Sequence, residues 1–398
     1  MPRVLALVNL PTFGGPHNQI IRLAEPLAQH GWDTLAVIPD ERERGSAYER
    51  LTAAGVPLAP VRLHRLRAQR DLRVQAGYLA GLAGDVARLR DLIERERIDL
   101  VQIGGLMNPQ VGLAAYLADV PIVWQILGTT APMPLRRVLM PLVVRLADVL
   151  MVTGRKVAAV HPGALGMGSR MVSFFPPVAP PFFAPAAPRR AAARAALGIP
   201  ADALVIGTVG NRNKLKGHDL LVQVAAQLHP HYPQLHTVIL GGETTHAAYY
   251  EQAVVAVAAQ SGLLASGRFH IVDPGQAVAE LLPAFDLFLL TSRQEGVPTV
   301  ILEAMASGLP VVSTDVGAVS EIVQHGTTGY VVPAGDGAMF ATATAKLLDY
   351  PALRIQMSHA AAQQAHTSYT LGQCVGLHLH AYTLAQQHHA QRTRHTKG

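Results

Sequence analysis

The chain is poor in cysteine, in aromatic residues and in long apolar runs, and each shortage excludes something. Its single cysteine, Cys374, cannot form an internal disulfide, which suits a reducing compartment. Aromatics make up 5% of the residues and no nucleic-acid-binding motif accompanies them, so nucleic acid is not an expected partner. The most apolar long stretch, residues 138–152, is broken by Pro141, Arg145 and Asp148 and makes a poor membrane span. No secretory leader is visible. Apolar residues 4–10 run into Pro11-Thr12-Phe13-Gly14-Gly15, which reads as a first strand and its turn. There is no Asp-x-Asp element and no carboxylate cluster suited to Mg²⁺, so neither a metal nor a bound cofactor is expected. The expected location is cytoplasmic, with a peripheral place at the inner face of the membrane as the alternative.

What the chain does have is apolar residues in short, regularly spaced runs. They make up 49% of 398 residues, enough for two ordinary domains. In the first half, residues 3–10, 34–38, 99–103, 121–126 and 148–153 read as strands, with helices over 16–30 (closed by Gly31), 79–97 and 135–147. In the second half, residues 204–209, 237–240, 269–272, 286–291, 311–313 and 330–332 repeat the pattern. Strands alternating with helices imply doubly wound parallel sheets. The proline-rich residues 176–188 mark a connection between the two halves. The expected domains are 1–178 and 179–365. A helix at 366–387 then packs back on the first domain, and 388–398 form a disordered tail.

Residues 1–178 hold 20 of the 33 Lys and Arg and 14 of the 27 Asp and Glu, so the whole positive excess lies there. Arg62, Arg65, Arg67, Arg70 and Arg73 concentrate it, with Asp71 the one acid among them. A solvated helix face explains such a run. A surface for a phosphorylated acceptor, or a peripheral contact with anionic membrane through residues 62–73, is the sharper reading.

The most informative segment is Glu295-Gly296-Val297-Pro298-Thr299-Val300-Ile301-Leu302-Glu303. Pro298 suits a first helical turn and Gly308 a helix end, so a helix is expected over 298–307. Glu295 then lies on the preceding loop and Glu303 about one and a half turns inside. The helix start offers free N–H groups and a positive dipole end to a phosphate. Two hydroxyl-accepting carboxylates flanking a diphosphate cradle suit a nucleotide sugar. A second cluster, Gly210-Asn211-Arg212-Asn213-Lys214-Leu215-Lys216-Gly217, follows a strand and carries cations that can neutralise a departing diphosphate. A third, Gly14-Gly15 before His17, lets backbone approach a ligand at the start of a helix.

Residues 292–308 resemble the Glu-x7-Glu signature of family 4 retaining glycosyltransferases, which have the GT-B fold. The resemblance is closest over 204–336 and looser over 1–180. It implies two Rossmann-like domains facing across a cleft, with the acceptor on the first and the donor on the second. Glu295 would meet the donor sugar, Glu303 the ribose hydroxyls, and the backbone of Gly296, Val297, Pro298, Thr299 and Val300 the diphosphate. Lys216-Gly217 matches the family's Lys-Gly pair. Asn211 stands where the family has arginine, so Arg212 is taken as the phosphate-binding arginine and Lys214 as its substitute. Gly14 and Gly15 would lie over the donor, with His17 as the acceptor-side candidate. The family often has histidines after two strands where this chain has Gln102 and Leu127, so the acceptor side is altered. His378, His380, His388 and His389 are read as surface or packing residues rather than metal ligands. The function implied is retaining, metal-independent transfer of a sugar from a nucleoside-diphosphate sugar to a glycan, lipid-linked or small-molecule acceptor. A GT-B epimerase or phosphorylase, or a non-catalytic nucleotide-sugar-binding protein, are the alternatives.

Overall fold

The computed structural model describes residues 1–10, 13–40, 46–66, 72–129, 131–243 and 247–397. Pro11 and Thr12 of the first turn, and Arg67, Arg70 and Asp71 of the basic stretch, lie outside them. The chain divides into two units, Met1–Pro177 with Leu371–Gly398, and Val178–Thr370.

The first unit holds seven parallel strands, β1 (Arg3–Leu7), β2 (Asp33–Ile38), β3 (Leu58–Pro60), β4 (Leu100–Gly104), β5 (Ile122–Ile126), β6 (Val149–Val152) and β7 (Met171–Ser173), in the order β3-β2-β1-β4-β5-β6-β7. The central strands are apolar on both faces because helices cover both. Alternate residues feed separate cores. Leu5, Val101, Ile122 and Trp124 pack with Leu89, Leu92 and Ile93 of the Leu72–Arg95 helix. Val4, Leu100, Val123 and Met151 pack with Leu23 and Leu27 of the first helix, Gly15–Gln29, and with Val375 and Tyr382 of the C-terminal helix.

That last helix, Leu371–Lys397, runs through the residues expected to form a disordered tail. The reason is Asp148, which is fully buried. One of its oxygens accepts the Ile122 N–H at 2.9 Å, and the other lies 3.1 Å from His388 Nδ1 and 3.3 Å from Arg392 Nη1. Burial alone would raise the pKa of Asp148. Hydrogen bonds from His389, His388 and Ile122, with the charge of Arg392, outweigh burial and hold it below the usual carboxylate range.

The second unit holds six parallel strands, β8 (Leu204–Val209), β9 (Leu235–Leu240), β10 (Phe269–Val272), β11 (Leu287–Leu290), β12 (Val311–Thr314) and β13 (Gly329–Val332), in the order β10-β9-β8-β11-β12-β13. Both units are therefore doubly wound Rossmann-like sheets. Strand order reverses between β1 and β4 in the first and between β8 and β11 in the second. Open sheets of this kind bind ligands outside the carboxyl ends of the strands at such a reversal.

Candidate functional site

In the second unit, the loops leaving β8 and β11 emerge side by side at the reversal, and they are stitched together. Lys216 Nζ lies 2.8 Å from Glu295 Oε1, and Ser292 Oγ donates to the same oxygen at 2.7 Å. Thr291 Oγ1 donates to the Lys216 carbonyl at 3.2 Å, and the Arg293 N–H to the Leu215 carbonyl at 2.8 Å. The Arg293 guanidinium also holds the Asp219 carboxylate.

Local chemistry places Lys216. Asn213 Oδ1 accepts from the N–H groups of Leu215 and Lys216, at 3.0 and 3.2 Å, closing a single 3₁₀ turn. Gly217 then takes φ +63° with its Cα so close to the β11 loop that a Cβ would fall 2.0 Å from the Thr291 carbonyl. Only glycine fits there. His218 follows, its Nδ1 3.1 Å from the Tyr250 hydroxyl. Burial, reinforced by the Lys216 charge, pushes the His218 pKa down to about 4, so its ring is neutral at pH 7.

The Glu295 side is braced from β12. Thr314 Oγ1 donates to the Ser292 carbonyl at 2.6 Å, and the Ala318 N–H to the Gly296 carbonyl at 2.9 Å. Pro298 caps a helix over Thr299–Ala306, which ends at Ser307 and Gly308 as the sequence led one to expect. No side chain caps its start and no acid lies in its first turn. The leading N–H groups and the positive dipole end are thus left for an anion. Glu303 sits half-buried on this helix, whose Ile301, Leu302, Ala304 and Met305 are buried.

The structure thus brings Lys216, Glu295, the 296–300 backbone and Glu303 into one segment of the second unit. Arg212 is engaged with Glu243 at 3.3 Å and stands over the Tyr250 ring, 6.0 Å from its centroid. The contacts by which Ser292, Asn213, Thr314 and Gly317 brace the loops were not read from the sequence. For Ser292 a signal was present, its place three residues before Glu295.

In the first unit, Gly14 precedes the first helix with extended backbone. A Cβ on Gly15 would meet nothing within 4 Å, and one on Gly14 only Pro16 Cδ at 4.0 Å. The protein's own packing does not demand either glycine. His17 lies inside the packing of this turn. It is fully buried, with Nε2 3.0 Å from the Leu10 carbonyl and its ring stacked on Phe13 at 5.9 Å. Burial lowers its pKa, and the neutral ring donates to the Leu10 carbonyl and ties the loop. Gln102 is buried too, accepting the Tyr382 hydroxyl at 2.7 Å.

Two doubly wound Rossmann-like units in one chain are the architecture of the GT-B class. Residues 189–364 match the family model described as glycosyl transferases group 1, and residues 14–177 match the glycosyl transferase 4-like domain. Between them these matches take in most of the chain and, with the two-unit fold, support the GT-B glycosyltransferase family. It is 34% identical over 234 residues to a D-inositol 3-phosphate glycosyltransferase of Corynebacterium urealyticum, covering 58% of this chain and 55% of that one. A protein of the same name from Streptomyces avermitilis is 31% identical over 253 residues, covering 61% and 50%. The chain spans about half the length of the curated relatives it matches. Among solved structures, Anabaena HepE in complex with UDP superposes with a TM-score of 0.79 at 19% identity, covering 96% of this chain and 100% of that one. Sucrose-phosphate synthase from Thermosynechococcus elongatus gives 0.70 at 18% identity, covering 100% and 99%. At such identities the likeness is one of fold.

Proposed function

We propose that this chain transfers a sugar from a nucleoside-diphosphate sugar to an acceptor, with retention at the anomeric carbon. The observation that carries the reading is the Lys216–Glu295 contact at 2.8 Å, beside an uncapped helix start at the β8/β11 reversal. The donor diphosphate lies against the backbone of residues 296–300. Lys216 and Arg212 neutralise the charge that develops as the bond from the anomeric carbon to phosphate oxygen breaks. Glu295, already fixed by Lys216 and Ser292, orients the sugar hydroxyls, and Glu303 accepts from the ribose hydroxyls. The acceptor oxygen bonds the anomeric carbon on the face the diphosphate leaves, and a leaving phosphate oxygen takes its proton. No protein base is needed, which accords with Gln102 and Leu127 standing where the resembled family often has histidines. The acceptor belongs to the first unit, where the Gly14–Gly15 turn leaves room for a ligand.

With side-chain cations meeting the diphosphate charge, transfer proceeds without a metal. UDP is the first nucleotide to test, since solved neighbours hold it. A phosphorylated polyol heads the acceptor classes, since the relatives are named for D-inositol 3-phosphate. The test is thermal shift against UDP, GDP, ADP, TDP and CMP with and without Mg²⁺. A ligand confined to the folded state adds about 2.7 kcal/mol at a hundredfold excess over Kd. A Mg²⁺-independent shift with one diphosphate, lost in Glu303→Ala, supports the reading. No shift with any nucleotide overturns it.

A further inference from the structure

The basic stretch that starts at Arg62 lies in the first unit, outside the residues assigned to the donor. β2 and β3 end side by side, with Ile38 opposite Pro60, and the Val61 N–H continues the ladder to the Ile38 carbonyl. Just past those carboxyl ends, Arg62, His64 and Arg65 face an open depression of about 500 Å³. Asp40 and, from the Leu72–Arg95 helix, Arg88 complete its charged lining. It opens at the carboxyl ends of β2 and β3, not at the β1/β4 reversal, and its volume lies in the range of small-molecule pockets.

Two of these side chains, His64 and Arg88, are held from below by one carboxylate. Asp85 is fully buried. Its Oδ2 accepts the His64 backbone N–H at 2.7 Å, while Oδ1 lies 3.0 Å from His64 Nδ1 and also binds the Arg88 guanidinium. The His64 ring lies against Gly81, where a Cβ would fall 2.1 Å from Nδ1, so this turn of the helix admits the ring only because residue 81 is glycine. With Nδ1–H donated to Asp85, Nε2 is the nitrogen left for a ligand, on a side chain 48% exposed. Arg62 is exposed and makes no ion pair among the described residues. A simple ion cluster closing the β3–helix connection would require Asp85, His64 and Arg88. It would not require the further guanidinium groups of Arg62 and Arg65 on the same depression.

We propose that this depression is a phosphoryl-binding site. Arg62, Arg65 and Arg88 take the phosphate of a phosphomonoester, with His64 at the wall. Planar guanidinium forks match phosphate oxygens two at a time. The cavity exceeds a bare phosphate, so the group arrives on a sugar-, polyol- or lipid-sized body. Naming that body the acceptor rests on the glycosyl-transfer reading; the anion site itself does not.

The test is histidine-selective NMR of the full chain labelled in its imidazole rings, with the His64 resonance assigned by its loss in His64→Gln. Inorganic phosphate and glucose 6-phosphate are titrated against chloride at matched ionic strength. The expected result is a saturable shift of His64 with the phosphomonoester, weakened about tenfold or more in Arg62→Gln. A parallel arm sediments the chain with phosphatidylcholine vesicles with and without phosphatidic acid. Binding that needs phosphatidic acid and Arg62, with no His64 shift from soluble esters, assigns the phosphate to a lipid headgroup. If phosphate and chloride act alike on His64 and neither vesicle binds through Arg62, the proposal is overturned. UDP thermal shift on the unmodified chain separates the two readings. A UDP shift with no phosphate response removes this site alone, while a phosphate response with no UDP shift removes the donor reading alone.

Discussion

Lys216 Nζ and Glu295 Oε1 lie 2.8 Å apart although 79 residues separate them in the chain. Both side chains are shielded, at 24% and 11% exposure, so the contact is worth more than a surface pair. It also fixes both groups before any ligand arrives. Lys216→Met should lower turnover with the cognate nucleotide sugar about 10²- to 10³-fold, the range for removing one charge-stabilising donor. Glu295→Ala should lower turnover while leaving nucleotide affinity within about threefold, because its assigned partner is the sugar. Steady-state kinetics beside nucleotide titration checks both, and equal losses of affinity and rate in Glu295→Ala would contradict the assignment.

Glu303 is assigned the opposite division of labour. It stands inside the Thr299–Ala306 helix, whose buried residues anchor it. Glu303→Ala should weaken nucleoside diphosphate binding about 10-fold or more, the cost of about 1.4 kcal/mol of charge-assisted hydrogen bonding. Calorimetric titration of the diphosphate reads this directly. An unchanged dissociation constant would remove Glu303 from the ribose site.

Gly317 supplies a purely steric test of the Glu295 loop. Its φ is +56°, and a Cβ there would fall 2.3 Å from the Gly296 carbonyl and 2.6 Å from that of Glu295. Gly326 has φ +81° with nothing within 4 Å of an added Cβ. Gly326→Ala should therefore cost only the left-handed backbone strain, about 1–2 kcal/mol. Gly317→Ala should cost more and also impair nucleotide binding by displacing Gly296. Urea midpoints with nucleotide titrations distinguish them, and equal behaviour of the two variants would mean that the loop yields without consequence.

What the sequence made legible is what local chemistry decides. Pro298 and Gly308 punctuate one helix, and both ends fall where those residues require. The central strands were legible from continuous apolar runs. β3 and β7 were not, since each is a three-residue edge strand and Pro60 lacks a donor. The C-terminal helix was legible only in part, because what extends it is a contact between His388 and Asp148 across 240 residues. The same limit hid the loop braces. Thr314 and Gly317 act on Ser292 and Gly296 through the tertiary fold, and no spacing in the chain announces that. Exposure is also a tertiary property, which is why His17 read as a candidate for the acceptor and proved to be buried.

His378 gives the C-terminal helix a pH dependence of definite sign. It is fully buried, with Nδ1 2.8 Å from the Cys374 carbonyl and Nε2 within 3.2 Å of the Gln19 amide and 3.1 Å of the Gln125 amide. The remaining groups around it are the edges of Phe174 and Tyr382 and the Cys374 thiol, whose pKa burial pushes up to about 12, so no charge faces the ring from these. A neutral ring donates at Nδ1 and accepts at Nε2, and protonation would set Nε2–H against two amide donors. Burial accordingly pushes the pKa of His378 down to about 4 from 6.5. Between those values the unfolded chain binds the extra proton, so stability rises with pH. The contribution is complete above about pH 6.5 and is lost as pH falls towards 4. Both tryptophans, Trp32 and Trp124, lie in this unit, so fluorescence-detected urea unfolding reports on it. The midpoint should hold constant from pH 7 to 8 and fall below pH 6.5. His17 and His161 in the same unit, also lowered by burial, add to the fall with the same sign. His378→Gln should lower the plateau by about 1–3 kcal/mol, as buried amides lose their acceptor, and should flatten the fall between pH 6.5 and 4.5. A fall of unchanged size in that variant would show that His378 is not its source.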